Sequence, residues 1–252
     1  MKLKIGNEIK WFSLVIPALF FYLVFMIFPS LSAVYYSFTE WDGITSKFIG
    51  LENYINIFKD QKVLGSLRNA ALYTIFITVI QNIYGLALAI MLDRKLRGIS
   101  VIRMMFFMPA VFSSLVLGYV WGFILQPNYG LVNTILGKLG LESLQLDWLG
   151  DSSIAVWMII LVVVWQCAGY TMVIYIAGLQ SISKDYYEAA DIDGASFFNK
   201  FKNITFPLIA PSFTINVILC LIGTLKLFDP IYALTRGGPS NETESLASMI
   251  FS

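Results

Sequence analysis

The chain has 252 residues, of which 58% are hydrophobic, 15% aromatic and 13% charged, and its formal net charge is +1. Soluble domains carry roughly 25% charged residues, so this composition excludes an ordinary water-soluble globule and points to a membrane protein. The near-zero net charge excludes a global electrostatic footprint for nucleic acid, and the absence of His removes the commonest general base and metal ligand, so no catalytic residue, metal or cofactor is expected.

Five stretches lack Asp, Glu, Lys and Arg: 11–39, 69–92, 104–137, 152–183 and 203–225. Each exceeds the ~20 residues that a helix needs to cross the hydrocarbon core. The predicted spans are 12–36, 69–92, 104–125, 154–180 and 206–228, so the expected fold class is an all-α, polytopic membrane helix bundle forming a single domain over 1–252.

The chain opens on the basic leader MKLKIGNEIK. A signal-peptide core is only about 7–15 apolar residues long. Here the apolar run continues through Tyr35 and Tyr36, so it reads as an uncleaved first span. In the next loop, Leu51, Tyr54, Ile55 and Phe58 fall at i, i+3, i+4 and i+7, a one-sided helix. It either lies on the outer membrane surface or packs on the ends of the spans. The pair Gln81 and Asn82 reads as a helix–helix hydrogen-bonding pair, and Trp121 as a belt aromatic or a cavity residue. Cys167 and Cys220 sit in apolar runs and read as buried small hydrophobes. With the N-terminus inside, ten Lys and Arg flank the inner ends of the spans and six fall in the outer loops. That bias places the N-terminus in the cytoplasm. The final residues, SLASMIFS, read as the start of a sixth span cut short.

One polar island interrupts the apolar pattern, and with the N-terminus inside it faces the cytoplasm over 181–205. Ser183 suits an N-cap, with Asp185 in the first helical turn and Gly194 as the stop. Ser196 restarts a second short helix whose apolar side is Phe197, Phe198 and Phe201, and Pro207 and Pro211 mark the return into the membrane. Glu188 beside Ala189 and Ala190 makes a narrow face that fits a cleft in a basic partner. The bland alternative is a surface helix that merely connects two spans.

The full spacing goes further. Glu188-Ala189-Ala190, then Gly194, Ile204 and Phe206-Pro207, resembles the EAA loop of binding-protein-dependent ABC importer permeases, with Phe206 where Leu is usual. The segments FTEWDG (38–43), FIGLENYINIF (48–58), DWLGD (147–151) and FDPIYALTRGGP (228–239) are similar to the carbohydrate-importer branch, of the maltose and glycerol-phosphate type. That resemblance implies a type I importer permease fold in the bacterial cell membrane, normally with one more C-terminal helix. It also implies partners: a second permease, two cytoplasmic ATPase subunits, an extracellular solute-binding protein, membrane lipid and a sugar substrate. ATPase coupling would fall to Glu188, Ala189, Ala190, Asp191, Gly194, Ile204 and Pro207. The chain has no G-x-x-x-x-G-K-[ST], so it is not itself the P-loop ATPase.

Two polar clusters within the spans are candidates for contact with a sugar: Trp165, Gln166 and Tyr170 in the fourth, and Thr224, Lys226, Phe228 and Asp229 in the fifth. Lys226 and Asp229 are three apart and could pair, which would lower the cost of both charges. Alternatively, Trp165 and Gln166 merely hold helices together, and Lys226 and Asp229 anchor the interface. A stand-alone secondary transporter would need coupling acids or His in its spans, and no acid precedes Lys226 there. A membrane enzyme would need a nucleophile–base pair or a metal cluster. The serious alternative is an importer permease for a non-sugar solute such as a glycerol phosphate.

Overall fold

The computed structural model describes residues 14–94 and 97–251. The start of the first predicted span, and Lys2, Lys4, Lys10 and Lys95 of the orientation argument, lie outside the described residues. The chain divides into two compact units, Met1–Leu64 and Gly65–Ser252.

The first unit is led by helix α1, Leu14–Ser37. A wider π-turn at Leu23–Ile27 precedes Pro29, whose ring and missing N–H cannot continue the ordinary i to i−4 ladder. Two short antiparallel strands follow, β1 (Thr39–Trp41) and β2 (Ser46–Phe48), with Thr39 opposite Phe48 and Trp41 opposite Ser46. This hairpin was not expected in an all-helical reading, although Asp42-Gly43 is a turn signal. The Asp42 carboxylate accepts from the amides of Ile44 (2.9 Å) and Thr45 (2.6 Å) and from the Thr45 hydroxyl (2.8 Å). These bonds favour the charged form and hold its pKa down at about 2. Helix α2, Glu52–Ile57, closes the unit. Asn53 donates to the carbonyls of Ser37 (3.0 Å) and Thr39 (2.9 Å), and Tyr54 shares a hydrogen bond with Ser37 (2.8 Å). Of the one-sided pattern, Tyr54 touches Ser37 and Phe38 at the end of α1 while staying partly open, and Leu51, Ile55 and Phe58 are exposed.

In the second unit, the residues of α3 (Gln61–Leu92) from Gly65 onward pack with α7 (Ser152–Gln180). Between them in sequence come α4 (Ile99–Val111), α5 (Ser114–Ile124) and α6 (Leu131–Lys138). After α7 come α8 (Lys184–Ile192), α9 (Phe197–Leu208), α10 (Ala210–Leu225), α11 (Asp229–Leu234) and α12 (Leu246–Phe251). Helices α1, α3 and α7 are long and apolar enough to span a membrane, and two bent pairs bring the possible spans to five.

The expected spans 104–125 and 206–228 fall on those bent pairs and are not single straight helices. Helices α4 and α5 meet at 99°, and α9 and α10 at 67°. Prolines lie near both departures. Pro109 lies inside α4 and removes a ladder donor, and the backbone becomes extended at Phe112 and Ser113. Pro207 and Pro211 flank the bend at Ile209.

Helix α7 is the axis of this unit, its most apolar stretch being 67% buried against 39% for α3. Asp151 caps it, accepting from the Ser153 amide and hydroxyl, which lowers the Asp151 pKa. Its Ile159, Ile160 and Val163 pack with Tyr73, Ile77, Leu227 and Ile231. One turn after another, Ala168, Met172 and Tyr175 pack with Leu88, Ala89 and Ile209. Between the two clusters runs a polar layer. Gln81 donates to Thr171 (2.8 Å), Tyr175 donates to Asn82 (2.6 Å), and Asn216 donates to the Thr171 carbonyl (3.4 Å). Gln81 and Asn82 thus join α3 to α7 by hydrogen bonds, where apolar packing alone would give no registry.

Candidate functional site

The segment over 181–205 that the sequence marks as the EAA-like loop is built by its caps. The Ser183 hydroxyl accepts from the Asp185 amide (3.3 Å) and begins α8. Gly194 ends it at φ +70°, a conformation that side chains with a Cβ resist. The Ala195 amide returns to the Ala190 carbonyl (2.9 Å) and the Gly194 amide to the Asp191 carbonyl (3.1 Å), a Schellman closure. The Ser196 hydroxyl accepts from the Asn199 amide (3.3 Å) and begins α9.

Of the sequence-predicted residues, Glu188, Ala189, Asp191, Gly194 and Pro207 are exposed, Ile204 is half-buried and Ala190 faces inward. Asp191 forms an ion pair with Lys200 of α9. Tyr187 shares a hydrogen bond with Thr205 of α9 (2.9 Å). These two links brace α8 against α9, and the sequence reading missed Tyr187, Lys200 and Thr205. Their spacing gave no periodic signal, because the partners lie on opposite sides of the Gly194 turn. It also missed Ile192, which is 87% exposed next to Glu188. With Phe197 and Phe198 also exposed, Ile192 belongs to an open apolar surface beside Glu188.

A cavity of about 410 Å³ opens among α7, α10 and the break before α11. Gln166 and Tyr170 line it from α7, Thr224 from α10, and Lys226, Phe228 and Asp229 from the break and the start of α11. The fold thus brings together six of the seven residues named from sequence. Trp165 lies off the cavity, its ring T-shaped against Trp121 at 5.4 Å. It is adjacent to Gln166 in sequence, and successive helical residues point about 100° apart. Thr171, Asn216 and the free Cys167 also line the cavity and were not named as site residues.

Two of the lining residues have other work. Gln166 donates to the Phe112 carbonyl (3.2 Å) and the Ser114 hydroxyl (3.1 Å), satisfying backbone freed at the α4–α5 break. Thr224 donates back to the Cys220 carbonyl (2.8 Å). The expected Lys226–Asp229 pair does not form: among the described residues the ion pairs are Arg103–Asp93 and Lys200–Asp191. Lys226 follows the end of α10 and Asp229 begins α11, so the helical i, i+3 geometry is interrupted between them.

Residues 81–251 match the family described as binding-protein-dependent transport system inner membrane component. The chain belongs to this family. It is a membrane-embedded, multi-pass permease component and not an enzyme. The "Probable starch degradation products transport system permease protein" of Thermoanaerobacterium thermosulfurigenes is 36% identical over 97% of this chain and 83% of its own length. The trehalose/maltose transport system permease protein of Thermococcus litoralis is 33% identical over 99% of this chain and 85% of its own. A chain from the crystal structure of a bacterial ABC transporter that imports alginate superposes with a TM-score of 0.86 at 20% identity, covering 100% of this chain and 86% of that one. At that identity the likeness speaks for the fold, the type I importer permease architecture.

Proposed function

We propose that this permease forms half of the translocation pathway of an ATP-driven carbohydrate importer, with the cavity around Tyr170 and Phe228 as its solute site. It pairs with a second permease, receives sugar from an extracellular binding protein and docks a cytoplasmic ATPase through α8. The N-terminus is cytoplasmic in this reading. The observation that carries it is the exposed Glu188–Ile192 face of α8, braced to α9 by Tyr187–Thr205 and Asp191–Lys200. Helix α9 leads into α10, and the far end of α10, about 24 Å away at 1.5 Å per residue, carries Thr224 and Lys226 into the cavity. A displacement of α8 by the ATPase would therefore be passed to the cavity wall. The cavity suits a sugar because aromatic faces (Tyr170, Phe228) stand beside hydrogen-bonding groups (Thr224, Asn216, Asp229) in one concave space.

Glu188→Lys tests the coupling role. The variant is expected in the membrane at normal level, with ATPase co-purification reduced by tenfold or more, in line with the ~2–5 kcal/mol cost of breaking an interfacial charge pair, and with maltose uptake lost. Normal uptake at normal expression would remove the assignment. A phosphorylated solute is the second reading, favoured by Lys226, a cavity cation with no ion pair among the described residues. Competition of maltose uptake by sn-glycerol 3-phosphate would favour it.

A further inference from the structure

We propose that Ser245 is a positioning residue for the solute cavity, holding the non-helical segment that presents Lys226, Phe228 and Asp229. The inference rests on the reading of that cavity as the solute site. Between the end of α10 at Leu225 and the start of α11 at Asp229, the backbone is non-helical, with Lys226 at φ −102°, ψ 18° and Phe228 at φ −126°, ψ −61°. Its local backbone bond is the turn from the Leu227 amide to the Thr224 carbonyl (3.2 Å). One long-range bond adds to it: the Ser245 hydroxyl donates to the Leu227 carbonyl at 2.6 Å, and Ser245 is only 1% exposed. Leu227 is itself a cavity-lining residue.

The loop that carries Ser245 is fixed from the other side. Asn69 of α3 donates to the carbonyls of Glu242 (2.6 Å) and Glu244 (3.0 Å), and Tyr73 donates to the Thr243 carbonyl (2.9 Å). The Thr243 hydroxyl closes the loop on the Gly238 carbonyl (2.8 Å). Beyond it, the Phe251 ring rests on Phe228 at 5.0 Å. The loop is thus a template anchored on α3, and Ser245 transfers its position to the cavity wall. The loop joins α11 to α12, so a change in its conformation would reach the cavity wall through the Ser245 hydroxyl, beside the Phe251–Phe228 ring contact.

The test uses the full complex with its partner subunits in mild detergent and the native Cys167, which lines the cavity. N-ethylmaleimide modification of Cys167 is followed by mass spectrometry, which separates it from Cys220, while maltose is titrated as protectant. Wild type is expected to be protected. Ser245→Ala should raise the half-protecting concentration about tenfold, the scale of one lost buried hydrogen bond. Ser248→Ala removes the hydroxyl that accepts from the Ser245 amide but leaves the bond to Leu227. It should lower the melting temperature with the half-protecting concentration unchanged. Should Ser245→Ala fail to assemble, Tyr73→Phe frees the Thr243 carbonyl one step back and should raise the value about threefold. A wild-type value for the assembling variant, or equal shifts for Ser245→Ala and Ser248→Ala, would overturn the positioning role while leaving the cavity reading intact. Absence of protection in wild type by maltose and by sn-glycerol 3-phosphate alike would overturn the cavity reading and this inference with it.

Discussion

Gly169 leaves no room for a methyl group. A Cβ there would run into the Phe106 carbonyl oxygen and sit 2.6 Å from Phe107 Cα. Both obstacles are backbone, so no rotamer change relieves them, and α4 would have to move off α7. Gly169→Ala is expected to destabilise the solubilised protein by on the order of 1–3 kcal/mol, the usual cost of overpacking. Gly223 is the internal control. It lines the cavity and a Cβ there meets nothing within 4 Å. Gly223→Ala should leave the melting temperature unchanged or slightly raised, since Ala is the better helix former, yet reduce maltose uptake by filling the cavity. Thermal unfolding of both variants beside uptake by the second checks the pair, and equal stability of the two would contradict the packing argument.

At the scale of elements, the informative features are the breaks. The 99° turn between α4 and α5 exposes backbone groups inside an apolar bundle, where an unpaired carbonyl is costly. Gln166 supplies the missing donor to Phe112. Gln166→Leu should therefore lower stability by about 1–3 kcal/mol as well as reduce uptake, whereas Tyr170→Phe should reduce uptake alone. Equal melting temperatures for Gln166→Leu and wild type would return Gln166 to a purely solute-binding role. The bend between α9 and α10 serves a different end. The α8–α9 brace lies before α10 and the Lys226–Asp229 break after it, the arrangement that the proposed link between α8 and the cavity requires.

For the whole molecule, the decisive quantity is orientation. Ten Lys and Arg against six favour a cytoplasmic N-terminus, and an ATPase docked on α8 requires the same side. Ile192 and Ile44 are 87% and 93% exposed, so each can carry a reporter thiol. In a background with cysteines otherwise removed, Ile192→Cys should react with a membrane-impermeant maleimide only in inside-out vesicles, and Ile44→Cys only in spheroplasts. The opposite pattern would invert the topology and separate α8 from any cytoplasmic ATPase. An odd number of spans separates the two positions in the five-span reading, so the two labels must differ in side.

The membrane class, the number of apolar runs, the caps at Ser183, Gly194 and Ser196, and the spacing of the EAA-like loop were all legible along the chain. These are local properties: hydrophobic run length, side-chain capping and glycine φ act within one element and can be read along the chain. The sequence also placed six cavity residues in two short clusters, because polar groups are rare in apolar spans and each one is conspicuous. That Trp165 faces Trp121, that Lys226 and Asp229 form no ion pair, that Gln166 bonds the backbone at a helix break and that Ser245 reaches Leu227 emerged from the packed fold. The prolines were visible, but the 99° and 67° bends depend on which neighbour satisfies the freed backbone. Those outcomes rest on hydrogen bonds between residues far apart in the chain, and a partner that distant leaves no period or motif in a single sequence.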